Sequence, residues 1–210
     1  MKLHSSLGPN PRLVRMFLIE KGIEATRIHY DIIVGENRKS ETLTARNPLQ
    51  TLPVLELDDG SLLTESWTIC EYLEEVHPEP NLIGRTPLER AEVRRWVRWF
   101  DQDCVVPMTM GFRGGAGRPL FEPRMSVVSP AAANELTALA NEKYVWLDRQ
   151  LGSRDHLALD RVTLADLIVF CFINFGFTVG WKLPEGTPNL ARLVALIGKR
   201  PSAKVWQDSE

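Results

Sequence analysis

The stretch Asn47-Pro48-Leu49-Gln50-Thr51-Leu52-Pro53-Val54-Leu55 decides how the first third of the chain is read. Pro53 stands where a strand begins. Proline has no N–H to give to a sheet, so it belongs at an edge, at a strand start or in a cis turn. Two readings follow. In one, Pro53 merely starts a strand and binds nothing. In the other, a cis peptide before Pro53 turns the N–H and C=O of Leu52 outward, where an extended peptide-like ligand could pair with them as an added strand would.

Working outward, residues 53–57, the turn Asp58-Asp59-Gly60 and residues 61–63 read as a hairpin. Residues 1–5 suit a short strand. Leu13, Val14, Phe17 and Leu18 recur at helical spacing up to a stop at Gly22, with Pro11 in the first helical position and Asn10 as N-cap. Residues 28–34 are rich in β-branched side chains and predict a second strand, and residues 40–45 a short helix. Ile69, Tyr72, Leu73 and Val76 mark one face of a further helix that ends before Pro78. The order is βαβαββα. Pro78, Pro80 and Gly84 make residues 78–86 a linker.

Beyond the linker every pattern is helical. Thr86-Pro87-Leu88-Glu89 opens a helix whose apolar stripe is Val93, Trp96, Val97, Phe100 and Cys104. The glycine run 114–117 interrupts it. Ser129-Pro130, Thr163-Leu164-Ala165-Asp166 and Thr187-Pro188 each signal another helix start. The apolar stretch 162–181 is broken by Thr163, Asp166, Asn174 and Gly176, so it predicts a core helix rather than a membrane span. The expected division is an α/β domain over 1–77, a linker over 78–86 and an all-helical domain over 87–210.

With 210 residues, 44% hydrophobic and 25% charged, the chain has an ordinary globular composition and enough length for a sizeable core. Lys plus Arg total 25 against 27 Asp plus Glu, which argues against a nucleic-acid binder. Cys70, Cys104 and Cys171 lie far apart, suggest neither a disulfide framework nor a metal site, and with an N-terminus lacking an apolar h-region point to the cytosol. Phosphate-loop and HExxH patterns are absent.

Two further stretches carry chemistry. Thr64-Glu65-Ser66 precedes a helix, whose N-terminus exposes unpaired N–H groups and partial positive charge. Ser66 is either a plain N-cap or one that leaves room for a carboxylate, with Glu65 beside it to hold an ammonium group. Ser5-Ser6-Leu7-Gly8-Pro9-Asn10-Pro11 is a strand-to-helix turn. It is either a plain Asn-Pro cap or a set of donors able to stabilise a thiolate.

Taken together, these motifs and the element order resemble the cytosolic glutathione transferases over essentially the whole chain. The 47–55 stretch with Asp59-Gly60-Ser61-Leu62-Leu63-Thr64-Glu65-Ser66 carries the resemblance, and Val162-Thr163-Leu164-Ala165-Asp166 supports it. The resemblance implies a thioredoxin-like N-terminal domain, a helical C-terminal domain, a homodimer, no metal, and glutathione as co-substrate. Glu65 and Ser66 match the residues that hold the γ-glutamyl group, Leu52 before cis-Pro53 the one that pairs with the cysteinyl unit, and Gln50 a contact to the glycyl end. Lys39 or Arg38 reaches the glycyl carboxylate. Gly8 departs from the pattern, standing where serine-type classes place a hydroxyl. Asn10 stands where some bacterial members carry cysteine or asparagine, and is the candidate donor to the thiolate, with Ser5 and Ser6 as rivals. Met108, Phe112 and Arg113 are the candidate walls of the electrophile site, Arg113 as anchor of an anionic group. The implied activity is thiol transfer to a small hydrophobic electrophile or reduction of a hydroperoxide. The alternative is a glutathione-binding regulatory or interaction protein on the same fold.

Overall fold

A computed structural model describes residues 1–206. Strand β1 (Lys2–Ser5) leads into α1 (Pro9–Glu20), which returns to β2 (Thr26–His29). Two short helices, α2 (Glu36–Lys39) and α3 (Glu41–Arg46), precede β3 (Val54–Glu56), β4 (Leu62–Thr64) and α4 (Ser66–Val76). The sheet order is β2-β1-β3-β4. β1 and β2 run parallel, while β3 is antiparallel to both β1 and β4. This is a small mixed sheet of the thioredoxin-like kind. Leu3 faces Leu55 across the β1–β3 pair, and both are buried with Leu13, Phe17, Ile69 and Leu73. Lys2, His4 and Glu56 alternate onto the other face and bond to one another there: Lys2 Nζ and His4 Nε2 lie 3.3 and 3.0 Å from the Glu56 carboxylate.

Four local expectations shift. α1 begins at Pro9, not Pro11, because Gly8 supplies the cap at φ 130°, which L side chains rarely adopt; Asn10 is therefore the second helical residue, not the N-cap. β2 spans Thr26–His29, not 28–34, because the Asp31 carboxylate accepts from the Ile33 and Val34 N–H groups and turns the chain. Ser40 caps α3 by accepting from the Leu43 N–H, and α2 ahead of it was not foreseen. α4 is capped by Glu65 rather than Ser66, and its buried face holds Cys70 and Glu74 while Val76 is exposed.

The segment after α4, expected to be a linker, is fastened to that helix. Glu74 accepts from the backbone N–H groups of Leu82 and Ile83 and from the Asn81 amide, and pairs with Lys21 Nζ at 2.6 Å. Leu82 C=O in turn accepts from Leu164 N–H at 2.8 Å. Arg94 on the next helix pairs with Glu71 of α4 at 2.6 Å.

The helical domain starts with α5 (Pro87–Phe100), capped by Thr86, whose hydroxyl accepts from Glu89 N–H. A π-helical turn over Asp101–Val105 joins it to α6 (Val106–Gly114). Pro107 explains that turn: its ring would clash with the carbonyl four residues back, and the widened turn removes the conflict. The expected stripe Val93, Trp96, Val97, Phe100, Cys104 is buried throughout. The glycine run packs instead of forming an open loop. A Cβ on Gly114 would sit 2.6 Å from Val128, just ahead of α8 (Pro130–Leu151), and one on Gly111 3.0 Å from the Ala133 carbonyl of α8, so both positions need glycine for this close approach. The one-turn α7 (Arg118–Phe121) lies between them in sequence. α9 (Leu164–Thr178) is the buried core helix, and α10 (Pro188–Gly198) with a 3-10 turn (Pro201–Trp206) closes the domain. Among the described residues no helix is long and apolar enough to cross a membrane. α1 packs against both α4 and α9, and buried Arg12 crosses between the domains to donate to Asn174 Oδ1 and the Ala203 carbonyl.

Candidate active site

Sheet topology sets the site. β1 ends at Ser5, β3 begins at Val54 beside it, and α1 and α4 both start at this edge. The N-termini of the two helices are joined directly: Ser66 Oγ donates to Asn10 Oδ1 at 2.8 Å. Asn10 thus has its carbonyl oxygen occupied and its amide N–H groups available. Neither helix start is capped by its own side chain, and neither has an acid in its first turn. An uncapped helix start keeps its first N–H groups and partial positive charge open to an anion.

The loop before β3 is held in a defined shape. Asn47 Nδ2 donates to the Thr51 carbonyl at 2.8 Å and Asn37 Nδ2 to the Gln50 carbonyl at 2.7 Å. The Leu52–Pro53 peptide is cis. Among the described residues the Leu52 N–H and C=O have no hydrogen-bond partner, as an edge for an extended ligand requires. Among those residues, the only non-glycine positions with positive φ are Gln50 at 56° and Glu65 at 66°. Side chains rarely occupy this region, and such strain gathers at functional sites.

The candidate donors to a thiolate differ in access. Asn10 is exposed, whereas Ser5 and Ser6 are buried at 0% and 3%. Ser6 Oγ donates to the Leu7 carbonyl, and Ser5 Oγ has no partner among the described residues. The chain's own thiols are all buried, and burial pushes each upward, Cys171 up to about 12. A thiol held that high is a poor nucleophile. His4 braces the sheet, bonding Tyr30 Oη at 2.9 Å and Glu56 at 3.0 Å.

Of the two residues expected near the glycyl end, Arg38 donates to Gln50, with Nη1 3.2 Å from Oε1, and both Arg38 and Lys39 are exposed. Of the expected electrophile walls, Met108 is buried in the helical core, where its sulfur accepts from Tyr144 Oη at 3.2 Å. Its place on the inner face of α6 removes it from any open wall. Phe112 is half-buried, edge-on to Phe121 and Phe175. Arg113 is half-buried over the ring of Phe121. Asn37, Asn47 and Phe121 were missed by sequence reasoning. Asn47 carried a signal, since asparagine before proline favours a turn; the other two act through contacts distant in sequence.

A mixed four-stranded sheet with a cis-proline edge, two open helix starts and an appended helical bundle defines a two-domain architecture, thioredoxin-like in its first part. Two family descriptions match it: glutathione S-transferase, N-terminal domain, over residues 3–81, and glutathione S-transferase, C-terminal domain, over residues 116–201. Glutathione S-transferase 2 of Saccharomyces cerevisiae is 30% identical, covering 94% of this chain and 84% of that protein. The chain belongs to the glutathione S-transferase family, and its overall type of function is that of a glutathione transferase. A glutathione S-transferase domain-containing protein of Marinobacter aquaeolei VT8 superposes with a TM-score of 0.87 at 31% identity, over 96% of this chain and 99% of that one. Elongation factor 1-gamma of Schizosaccharomyces pombe is 32% identical over 65% of this chain and 32% of its own length.

Proposed function

We propose that the protein binds glutathione along the edge formed by residues 50–53 and the start of α4, and activates its thiol for attack on a small electrophile. The observation that carries this reading is the backbone strain confined to Gln50 and Glu65, the two ends of that edge. The open N–H groups of α4 receive the γ-glutamyl carboxylate, with Glu65 beside them for the ammonium group. The Leu52 N–H and C=O pair with the cysteinyl unit, Pro53 holds them outward, and Arg38 with Gln50 takes the glycyl end, Lys39 standing further out. Asn10, fixed by Ser66, turns its amide N–H groups toward the sulfur, while the α1 start adds partial positive charge. Ser5 and Ser6 support the turn from below.

The proposed division is a glutathione-binding domain over 1–77, a linker over 78–86 and a helical domain over 87–210 that supplies the electrophile wall through Phe112 and Arg113. Two copies are expected to associate, which sedimentation would show.

Asn10→Ala is the direct test. It should raise the pKa of bound glutathione by about one unit, equivalent to about 1.4 kcal/mol, read from thiolate absorbance against pH. The conjugation rate should fall about tenfold, with glutathione affinity nearly unchanged. Loss of activity only in Ser5→Ala or Ser6→Ala would overturn the Asn10 role. A second reading has one observation in its favour: Gly8 places no hydroxyl at the helix start. In that reading the protein binds glutathione and signals or assembles without turnover. Binding by wild type with no conjugation or peroxide reduction would select it.

A further inference from the structure

The one-turn α7 and the residues after it form a well-held base in the helical domain. Arg118 donates to the Val128 carbonyl at 2.9 Å and pairs with Glu122 at 2.7 Å. The Phe121 ring stands edge-on to Phe112, with centroids 6.0 Å apart, and the Phe121 carbonyl accepts from the Arg124 N–H at 2.9 Å. From this base half-buried Arg124 reaches across to the other domain. Its Nη1 donates to the Ile32 carbonyl at 2.5 Å and its Nη2 to the Ile33 carbonyl. Two successive carbonyls suit the two-pronged fork of a guanidinium, and bonds from a charged donor are the stronger kind.

The loop that Arg124 grips runs from β2 to α2 and is bonded along its length. Tyr30 N–H donates to the Ser5 carbonyl, at the end of β1, at 2.8 Å. The Asp31 carboxylate accepts from the Ile33 N–H at 2.7 Å. Asp31 N–H donates to the Glu36 carboxylate at 2.7 Å, and Glu36 N–H returns a bond to the Asp31 carbonyl at 3.0 Å. Glu36 opens α2, and the next residue, buried Asn37, donates to the Gln50 carbonyl at 2.7 Å. Gln50 is one of the two strained residues of the edge, at φ 56°. A strained φ persists only where its surroundings hold it. Hydrogen bonds and a short length of chain thus lead without a gap from Arg124 in the helical domain to Gln50 in the other.

We propose that Arg124 is a positioning residue: by gripping the loop over 31–36 it holds Asn37 against the Gln50 carbonyl, and so keeps the edge over 50–53 in the shape that takes glutathione. The proposal rests on the glutathione reading above for its ligand. Among the described residues Arg124 makes no bond to residues 50–53, so it acts through Asn37. The helical domain then contributes to glutathione binding from a distance.

Calorimetric titration of glutathione into Arg124→Met, Asn37→Ala and the double variant tests this. Each single change should weaken glutathione about fivefold, the effect of one lost hydrogen bond. The double variant should bind about as well as the poorer of the two singles, because both changes cut the same line of bonds. Arg124→Lys, with one prong in place of two, should restore part of the affinity. The pKa of the bound thiol, read from thiolate absorbance, should stay at its wild-type value in every variant, which separates positioning from the thiolate donation assigned to Asn10. Wild-type affinity in Arg124→Met, a shifted thiol pKa, or effects that multiply to about 25-fold in the double variant would overturn the proposal. Should the wild type take up no glutathione at all, the glutathione reading fails by itself, and hydrogen exchange judges the grip. In Arg124→Met at the wild-type thermal midpoint, the Ile33, Glu36 and Gln50 amides should exchange about tenfold faster. Unchanged exchange at those amides would overturn it.

Discussion

Two helix starts in this chain are built in opposite ways. The start of α9 is closed: the Asp166 carboxylate, fully buried, accepts from the N–H and hydroxyl of Thr163 and from the Leu157 N–H, at 2.8–3.0 Å. The start of α4 is open. Its cap residue Glu65 is exposed, strained at φ 66° and makes no side-chain bond to the helix, and Ser66 turns its hydroxyl away to Asn10. One helix spends its terminal donors internally and anchors the helical core. The other leaves them without a side-chain cap. The same physics of unpaired N–H groups serves stability in one domain and, in the proposed function, recognition in the other.

Breaking the closed start should have the largest effect. Asp166→Ala removes three charge-assisted bonds from a buried position and should cost about 3 kcal/mol or more of stability. Urea unfolding checks this, and the fraction that remains folded should bind glutathione as wild type does. Relieving the open start should show the reverse pattern. Glu65→Gly suits the positive φ, so the thermal midpoint should hold or rise, by a gain of up to about 1 kcal/mol. Glutathione should bind about tenfold or more weaker, because a charge-assisted contact is lost. A variant that binds as well as wild type would reduce Glu65 to an ordinary turn residue. Ser5→Ala should be the smallest change, within about 1 kcal/mol of wild type, because the buried hydroxyl has no partner to lose among the described residues. A large loss of activity in this variant would move the thiol donor inward from Asn10.

Much of the architecture could be read from the chain. The hairpin expected over residues 53–63 stands as β3 and β4, the stripe from Val93 to Cys104 keeps helical spacing, and Thr86, Ser129 and Thr163 sit at their expected helix starts. Where the reading slipped, a local choice had two physical solutions. Pro9 and Pro11 both suit a first helical position, and only the φ of Gly8 decides between them. The β-branched run after His29 suits a strand until the Asp31 side chain captures the backbone. The site was legible in the same uneven way. Gln50, Leu52, Glu65 and Ser66 lie on continuous motifs. The Ser66–Asn10 bond and the Asn37 brace join residues far apart in sequence, so spacing carries no trace of them. Met108 shared its helical period with the core and belongs to it.

The central claim is that the open start of α4 and the strained edge beside it await glutathione. Calorimetric titration of glutathione into the wild-type protein tests it most directly. One molecule per chain, with the heat lost in Glu65→Gly at unchanged thermal midpoint, is the predicted result. No heat in the wild type, or equal binding by both proteins, would contradict it.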